Sequence, residues 1–325
     1  MIKNTSKLAG LAASSLALFA TAFADVKVND HISVNGYAVG AVTNTDIDGG
    51  ENIDTYFKSK GSPAITNADA VKLGVLGTAG AFSAYGSILY LPGAADEAGL
   101  LDAYVTYDTG VGLKVTGGKF LSYLGFEAFD PINMTQLTYG STIFAVPAYH
   151  TGAKLDFSGK TFSAGVAVVD SIYSGTGTGF FEGDREYSDD IGIEAMFSYT
   201  GIKNLTVFAG IATENTDKAS NDLFIFDLWA SYAVNDKLTI AAEYDTQNDF
   251  MNAWLGQVGY KFSDKFSGIV RISGVDFDSG DKETKYTIAP TYTINPNLSL
   301  RAEFSAASRD AGDYTFIGGQ VVFKF

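Results

Sequence analysis

A chain of 325 residues with no cysteine and only two histidines, His31 and His150, has no disulfide framework, thiolate metal site or cysteine nucleophile. Its formal charge of −15 argues against nucleic acid as a partner. A mean hydropathy of +0.08 excludes a helical membrane protein but admits a barrel whose wall is half polar. The 36 glycines, 18 tyrosines and 24 phenylalanines against 6 prolines describe a β-rich chain with many turns and an aromatic belt.

Lys3 and Lys7 precede an apolar run from Leu8 to Ala20, then Ala22-Phe23-Ala24 and Asp25. That order predicts a secretory signal peptide, 1–24, removed at a small-x-small site to leave one domain, 25–325. Loss of the two lysines takes the charge from −15 to −17. The run is too short to cross a bilayer as a helix, and no later stretch is apolar for the roughly 20 residues that a spanning helix needs. An exported chain bound for a membrane then has only a closed β-barrel available.

Sixteen alternating segments follow, near 32–42, 71–77, 82–91, 100–109, 111–120, 150–157, 161–169, 191–199, 205–212, 223–233, 238–245, 253–262, 266–275, 284–294, 298–305 and 314–325. Side chains alternate across a strand, so one parity predicts the lipid face. Apolar sets of that kind are Leu101, Ala103, Val105, Tyr107; Thr151, Ala153, Leu155, Phe157; Ile191, Ile193, Ala195, Phe197, Tyr199; and Leu298, Leu300, Ala302, Phe304. None holds a charge, and a lysine or arginine facing lipid at mid-depth would cost about 2–4 kcal/mol. The opposite parity carries Lys72, Asp102, Lys114, Lys154, Asp156, Glu194, Asp227, Glu243, Arg271, Arg301 and Glu303, which predicts a wet interior. Segments 1 and 3 are ambiguous, because Tyr37, Val39, Tyr85 and Leu89 make both parities partly apolar.

Connections alternate between tight turns, such as Thr109-Gly110, Asn235-Asp-Lys237 and Asn295-Pro-Asn297, and longer acidic loops. Short periplasmic turns with long extracellular loops, and an even strand count that leaves both termini in the periplasm, are the barrel arrangement. The expected fold is all-β: a single transmembrane antiparallel barrel of about 16 strands in the outer membrane, wide enough for an aqueous channel. The last segment sets Ile317, Gly319, Val321, Phe323 and Phe325 on one side, with Gln320 and Lys324 on the other. It resembles the C-terminal strand of bacterial outer-membrane barrels. That resemblance implies that Phe325, with Phe323, is read by the barrel-assembly machinery.

Leu121–Tyr149 interrupts segments 5 and 6 as the third long connection, and only Glu127 and Asp130 in it are charged. So apolar a loop is expected to fold against protein. Its third place resembles that of the loop which sixteen-stranded porins fold into the lumen, and that resemblance implies a lumen position here, the alternative being the outside rim or a subunit contact. Glu127 and Asp130 would then face Arg271 and Arg301 from segments 13 and 15, with Lys72 and Lys154 nearer the loop's own side. Opposed charges across a narrow pore orient dipolar solutes and filter ions. Clusters at Asp46, Asp48, Glu51, Asp54; at Glu182, Asp184, Glu186, Asp189, Asp190; and at Asp276, Asp278, Asp281, Glu283 predict a negative vestibule and weak cation preference. They could hold divalent cations bridging lipopolysaccharide, although Asp276-x-Asp278-x-Gly280 lacks the full calcium-loop pattern.

Gly118-Lys119-Phe120, Leu124-Gly125-Phe126-Glu127, Asp130-Pro131 with Asn133, and Tyr149-His150-Thr151-Gly152 resemble the signature region of the OmpL-like β-barrel porin family. The resemblance implies a channel of the outer membrane and names no substrate. Neither histidine sits in a catalytic motif, and no phosphate loop, dinucleotide fingerprint or metal-ligand spacing is present, so no enzyme, cofactor or metal is expected. Three functions stand open. The first is a porin for passive diffusion of small hydrophilic solutes and ions. The second is a channel selective for sugars or small anions, for which Tyr104 and Trp229 are candidate lumen aromatics. The third is a non-conducting structural or adhesive barrel. Outer-membrane lipid and lipopolysaccharide are the expected surroundings, and a homotrimer is the assembly common among sixteen-stranded porins.

Overall fold

Alternating side chains become sixteen long strands, each hydrogen-bonded antiparallel to its neighbours in sequence, in a computed structural model that describes residues 25–48, 53–56, 69–92, 98–172, 191–215 and 222–325. They are β1 Ile32–Ile47, β2 Ala70–Ala79, β3 Phe82–Tyr90, β4 Ala98–Asp108, β5 Leu113–Leu121, β6 Tyr149–Ser158, β7 Phe162–Val169 and β8 Gly192–Tyr199. The second half is β9 Leu205–Glu214, β10 Leu223–Ala233, β11 Leu238–Gln247, β12 Met251–Lys261, β13 Phe266–Phe277, β14 Lys282–Asn295, β15 Leu298–Arg309 and β16 Tyr314–Lys324. Two short pieces, Val26–Lys27 and Ile53–Tyr56, add to β1. The predicted signal peptide 1–24, together with Glu51, Glu182, Asp184, Glu186, Asp189 and Asp190, lies outside the described residues, as does the side chain of Asp54.

The barrel closes where β16 meets β1, in register from Tyr314 opposite Ile47 to Lys324 opposite Tyr37. Phe325 extends the seam: its N–H and carbonyl exchange 3.0 Å bonds with Gly36. Gly36 is required there, because a Cβ would sit 2.5 Å from the Lys72 carbonyl and 2.9 Å from the Phe325 ring. Tight turns gather at one rim and fold on their own polar side chains. Asn235 Oδ1 accepts from the N–H groups of Lys237 and Leu238, Ser263 Oγ from Lys265 and Phe266, and Asn295 Oδ1 from Asn297.

The outer face is apolar around the circumference. Val75, Val105, Leu155, Val166, Ile193, Leu228, Val258, Ile288, Leu300 and Val321 are all exposed, as a lipid-facing band requires. Rings border that band near the tight turns, with contacts Phe82–Tyr107, Phe157–Phe162, Tyr260–Phe262 and Phe262–Phe266 at about 5 Å. Phe323 and Phe325 lie 6.1 Å apart at the same rim.

Leu101 departs from its expected outward position. A bulge sets Ser87 opposite Asp102 but Ile88 opposite Leu100, so Leu101 is skipped in the pairing and turns fully inward, while Leu100 takes the outer face. The ambiguity of segments 1 and 3 has a structural cause. Tyr37, Val39 and Leu89 point inward, and with Leu101, Tyr149 and Val322 they form an apolar patch on the inner wall. Ile132 of the third long connection packs on that patch. The connection therefore runs inside the barrel, through two 3-10 turns at Pro131–Asn133 and Ser141–Phe144, and buries Met134, Leu137, Tyr139 and Ala145.

Candidate functional site

An inserted loop brings peptide groups into a confined space, and each needs a partner. Inward side chains of the wall supply them by sign. Carboxylates take the loop's N–H groups: Glu194 on β8 accepts from Tyr123 at 3.2 Å, Asp227 on β10 from Gly125 at 2.7 Å, and Glu243 on β11 from Phe126. Glu303 on β15 accepts from Leu137 at 2.6 Å and Thr138 at 2.9 Å. Cations take the carbonyls: Arg301 donates to Pro131 and Ile132, and Lys285 on β14 to Tyr139 at 2.9 Å. Hydrogen bonds to charged groups contribute about 1.5–3 kcal/mol each, so the loop is fixed from several directions at once.

Of the six residues singled out for the pore, five take part in polar contacts of the loop and Lys154 meets it through aromatic rings. Glu127 bonds directly to Arg271 of β13, whose guanidinium also reaches Thr287 Oγ1 at 3.1 Å. Asp130 binds Lys72 of β2 at 3.0 Å and accepts from the Tyr37 hydroxyl, and Lys72 is shared with Asp102 at 3.0 Å. Arg301 lies on the loop backbone. Lys154 of β6 instead sits over the Phe120 and Tyr123 rings, 4.8 and 4.9 Å from their centres. The expected wet wall is thus largely a covered one: Asp156, Glu194, Asp227, Glu243, Arg271 and Glu303 are all buried.

Packing completes the seat. Phe126 meets Trp229 edge-on at 5.7 Å, and Trp229 stacks on Phe208 at 5.0 Å, so the lumen tryptophan is engaged by the loop. Tyr104 lies 5.7 Å from Tyr85. Leu137 fits over Gly318 of β16, where a Cβ would come within 2.8 Å of Leu137 Cδ2. A cleft of about 70 Å³ remains on the tight-turn side, among Met134, Thr291, Asn297, Arg301, Val322 and Lys324.

Sequence reasoning passed over two features. His150 is fully buried at the loop's return, with Nδ1 2.9 Å from the Ser171 carbonyl and Nε2 3.0 Å from Glu194, so its partner comes from β8 rather than from its own strand. Glu283, grouped with the outer acidic residues, belongs to β14 and accepts from Ser141 Oγ of the loop at 3.1 Å. The reason is that β13 and β14 are joined by only Asp278–Asp281, which leaves Glu283 inside the strand.

A family model described as "Putative beta-barrel porin-2, OmpL-like" matches residues 79–321, most of the chain. The chain belongs to this family. The residues that resemble the family's signature lie along the loop: Phe120 and His150 at its two roots, Gly125, Phe126 and Glu127 on its first crossing, and Asp130 at Lys72. The barrel is also similar to solved structures. The anion-selective porin from Comamonas acidovorans has a TM-score of 0.69 at 13% identity, covering 90% of this chain and 99% of that one. The outer membrane channel DcaP of Acinetobacter baumannii has 0.63 at 15%, covering 92% and 99%. The trimer form of OmpT, an outer membrane protein of Vibrio cholerae, has 0.60 at 12%, covering 91% and 100%. At these identities the likeness is one of fold. No curated protein matches the chain. Family and fold together make this OmpL-like protein an outer-membrane porin channel.

Proposed function

We propose that this porin passes small hydrophilic solutes and ions by passive diffusion through the bore left beside its inserted loop, with weak preference for cations. The observation that carries the proposal is the anchoring of the loop by wall charges of both signs, which supports a narrow, charged constriction in a barrel of sixteen strands. Glu127, Asp130, Arg271, Arg301, Lys72 and Lys154 are its selectivity residues. Net charge of −15 and the acidic long-loop rim support the cation preference. The chain is exported by residues 1–24 and has both termini in the periplasm, Phe325 and Phe323 serve the assembly machinery, and the long-loop rim meets lipopolysaccharide. The OmpT trimer form makes a homotrimer the assembly to test.

Liposome swelling with solutes of graded size tests the proposal. Entry that falls with size and does not saturate is the expected result, whereas saturable entry of one sugar or anion would instead establish a selective channel. A second reading, a non-conducting barrel, draws on the same anchoring, since a loop held this firmly also narrows the lumen. Swelling with no solute would establish that one.

A further inference from the structure

Three carboxylates on the inner wall stand apart from every ion pair described above. Asp227 of β10 is directly opposite Asp245 of β11, and Glu243 lies two residues from Asp245 on the same inward face. One carboxylate oxygen from each lies within 4.8 Å of the other two, and the side chains are buried at 0, 0 and 4% exposure for Asp227, Asp245 and Glu243. Glu127, Asp102, Asp130 and Glu194 each lie against a basic side chain. Among the described residues, no ion pair includes Asp227, Glu243 or Asp245.

Their oxygens are also unequally used. The loop takes one oxygen of Asp227 through Gly125 N–H and one of Glu243 through Phe126 N–H. Asp227 Oδ1 and both oxygens of Asp245 are buried without a hydrogen-bond partner. Three carboxylates this close and this dry cannot all stay ionised alone, and either protons or a bound cation must neutralise them. The donor set is oxygen alone, which suits a hard cation. Oxygens that share one calcium ion, each about 2.4 Å from it, stand no more than about 4.8 Å apart, a limit that these three oxygens meet.

We propose that Asp227, Glu243 and Asp245 bind one divalent cation of the calcium class inside the barrel wall. Because Asp227 and Glu243 also hold the Gly125 and Phe126 N–H groups, the bound ion stiffens the seat of the loop. The proposal does not rest on the channel reading, since a non-conducting barrel would hold the same ion.

Trp229 provides a local reporter. It is directly opposite Glu243 on the inward face, whereas the other tryptophan, Trp254, is on the outer face. The full mature chain, refolded after chelator treatment, is titrated with terbium while the indole is excited. The expected result is saturable sensitised emission at one ion per barrel, displaced by calcium, and weakened at least tenfold in affinity by Asp245→Asn. Trp229→Phe should remove the emission while calcium-45 binding persists. Absence of saturable emission would overturn the proposal, and so would emission unchanged in Asp245→Asn, which would put the ion on the exposed acidic loops. If Asp245→Asn does not give a heat-modifiable barrel, Asp227→Asn replaces it. Calcium should also raise the Tm of the wild-type barrel, and an equal rise in the folded variant would count against the site.

Discussion

Arg271 and Glu127 are an ion pair buried between a strand and a loop, and their burial decides their worth. An exposed pair contributes about 0–1 kcal/mol, whereas removing one partner of a buried pair costs about 3–5 kcal/mol because the other charge is stranded. Arg271→Ala is therefore expected to loosen the loop. Single-channel recording should give a larger and noisier unit conductance than wild type, and Tm should fall by several degrees. Lys154 makes the opposite case, because it rests on the Phe120 and Tyr123 rings. Lys154→Ala should move the reversal potential toward stronger cation preference with little change in unit conductance. An Arg271→Ala channel identical to wild type in conductance and Tm would remove the pair from the mechanism.

At the scale of elements, the loop's packing against protein was legible in its composition, since 29 residues from Leu121 to Tyr149 with two charges cannot be solvated easily, while only its third place pointed to the lumen. Its anchors were harder to see. Glu303 and Leu137 are separated by 166 residues, and Arg301 and Pro131 by 170, so only strand pairing brings them together. The same holds for Asp227 and Asp245, whose proximity is a matter of hairpin register rather than of a local motif. Strand parity was readable wherever the inner face is polar. It failed at Leu101 because a bulge changes the face without changing composition. It blurred at Tyr37, Val39 and Leu89 because the inner wall there is apolar to seat Ile132. Glu303→Ala should free the Leu137 and Thr138 N–H groups. Protease added to the folded barrel should then cut within the loop faster than in wild type.

For the whole molecule, closure depends on the β16–β1 seam. Phe325 completes that seam against Gly36, and any larger residue at Gly36 collides with both the Lys72 carbonyl and the Phe325 ring. Gly36→Val and deletion of Phe325 are each expected to lower the yield of heat-modifiable barrel on refolding, more than either alters permeation by the barrels that do form. Normal refolding yield with Gly36→Val would show that the seam tolerates what its geometry forbids. The central claim concerns the bore that remains once the barrel has closed, and planar-bilayer recording tests it most directly. Wild-type protein and a variant with Glu127–Phe144 replaced by a short Gly-Ser linker would be recorded side by side. The expected result is small, ohmic steps from the wild type and several-fold larger steps from the shortened loop. A bilayer that stays silent with correctly folded wild-type protein, or a step size that does not change when the loop is removed, would contradict it.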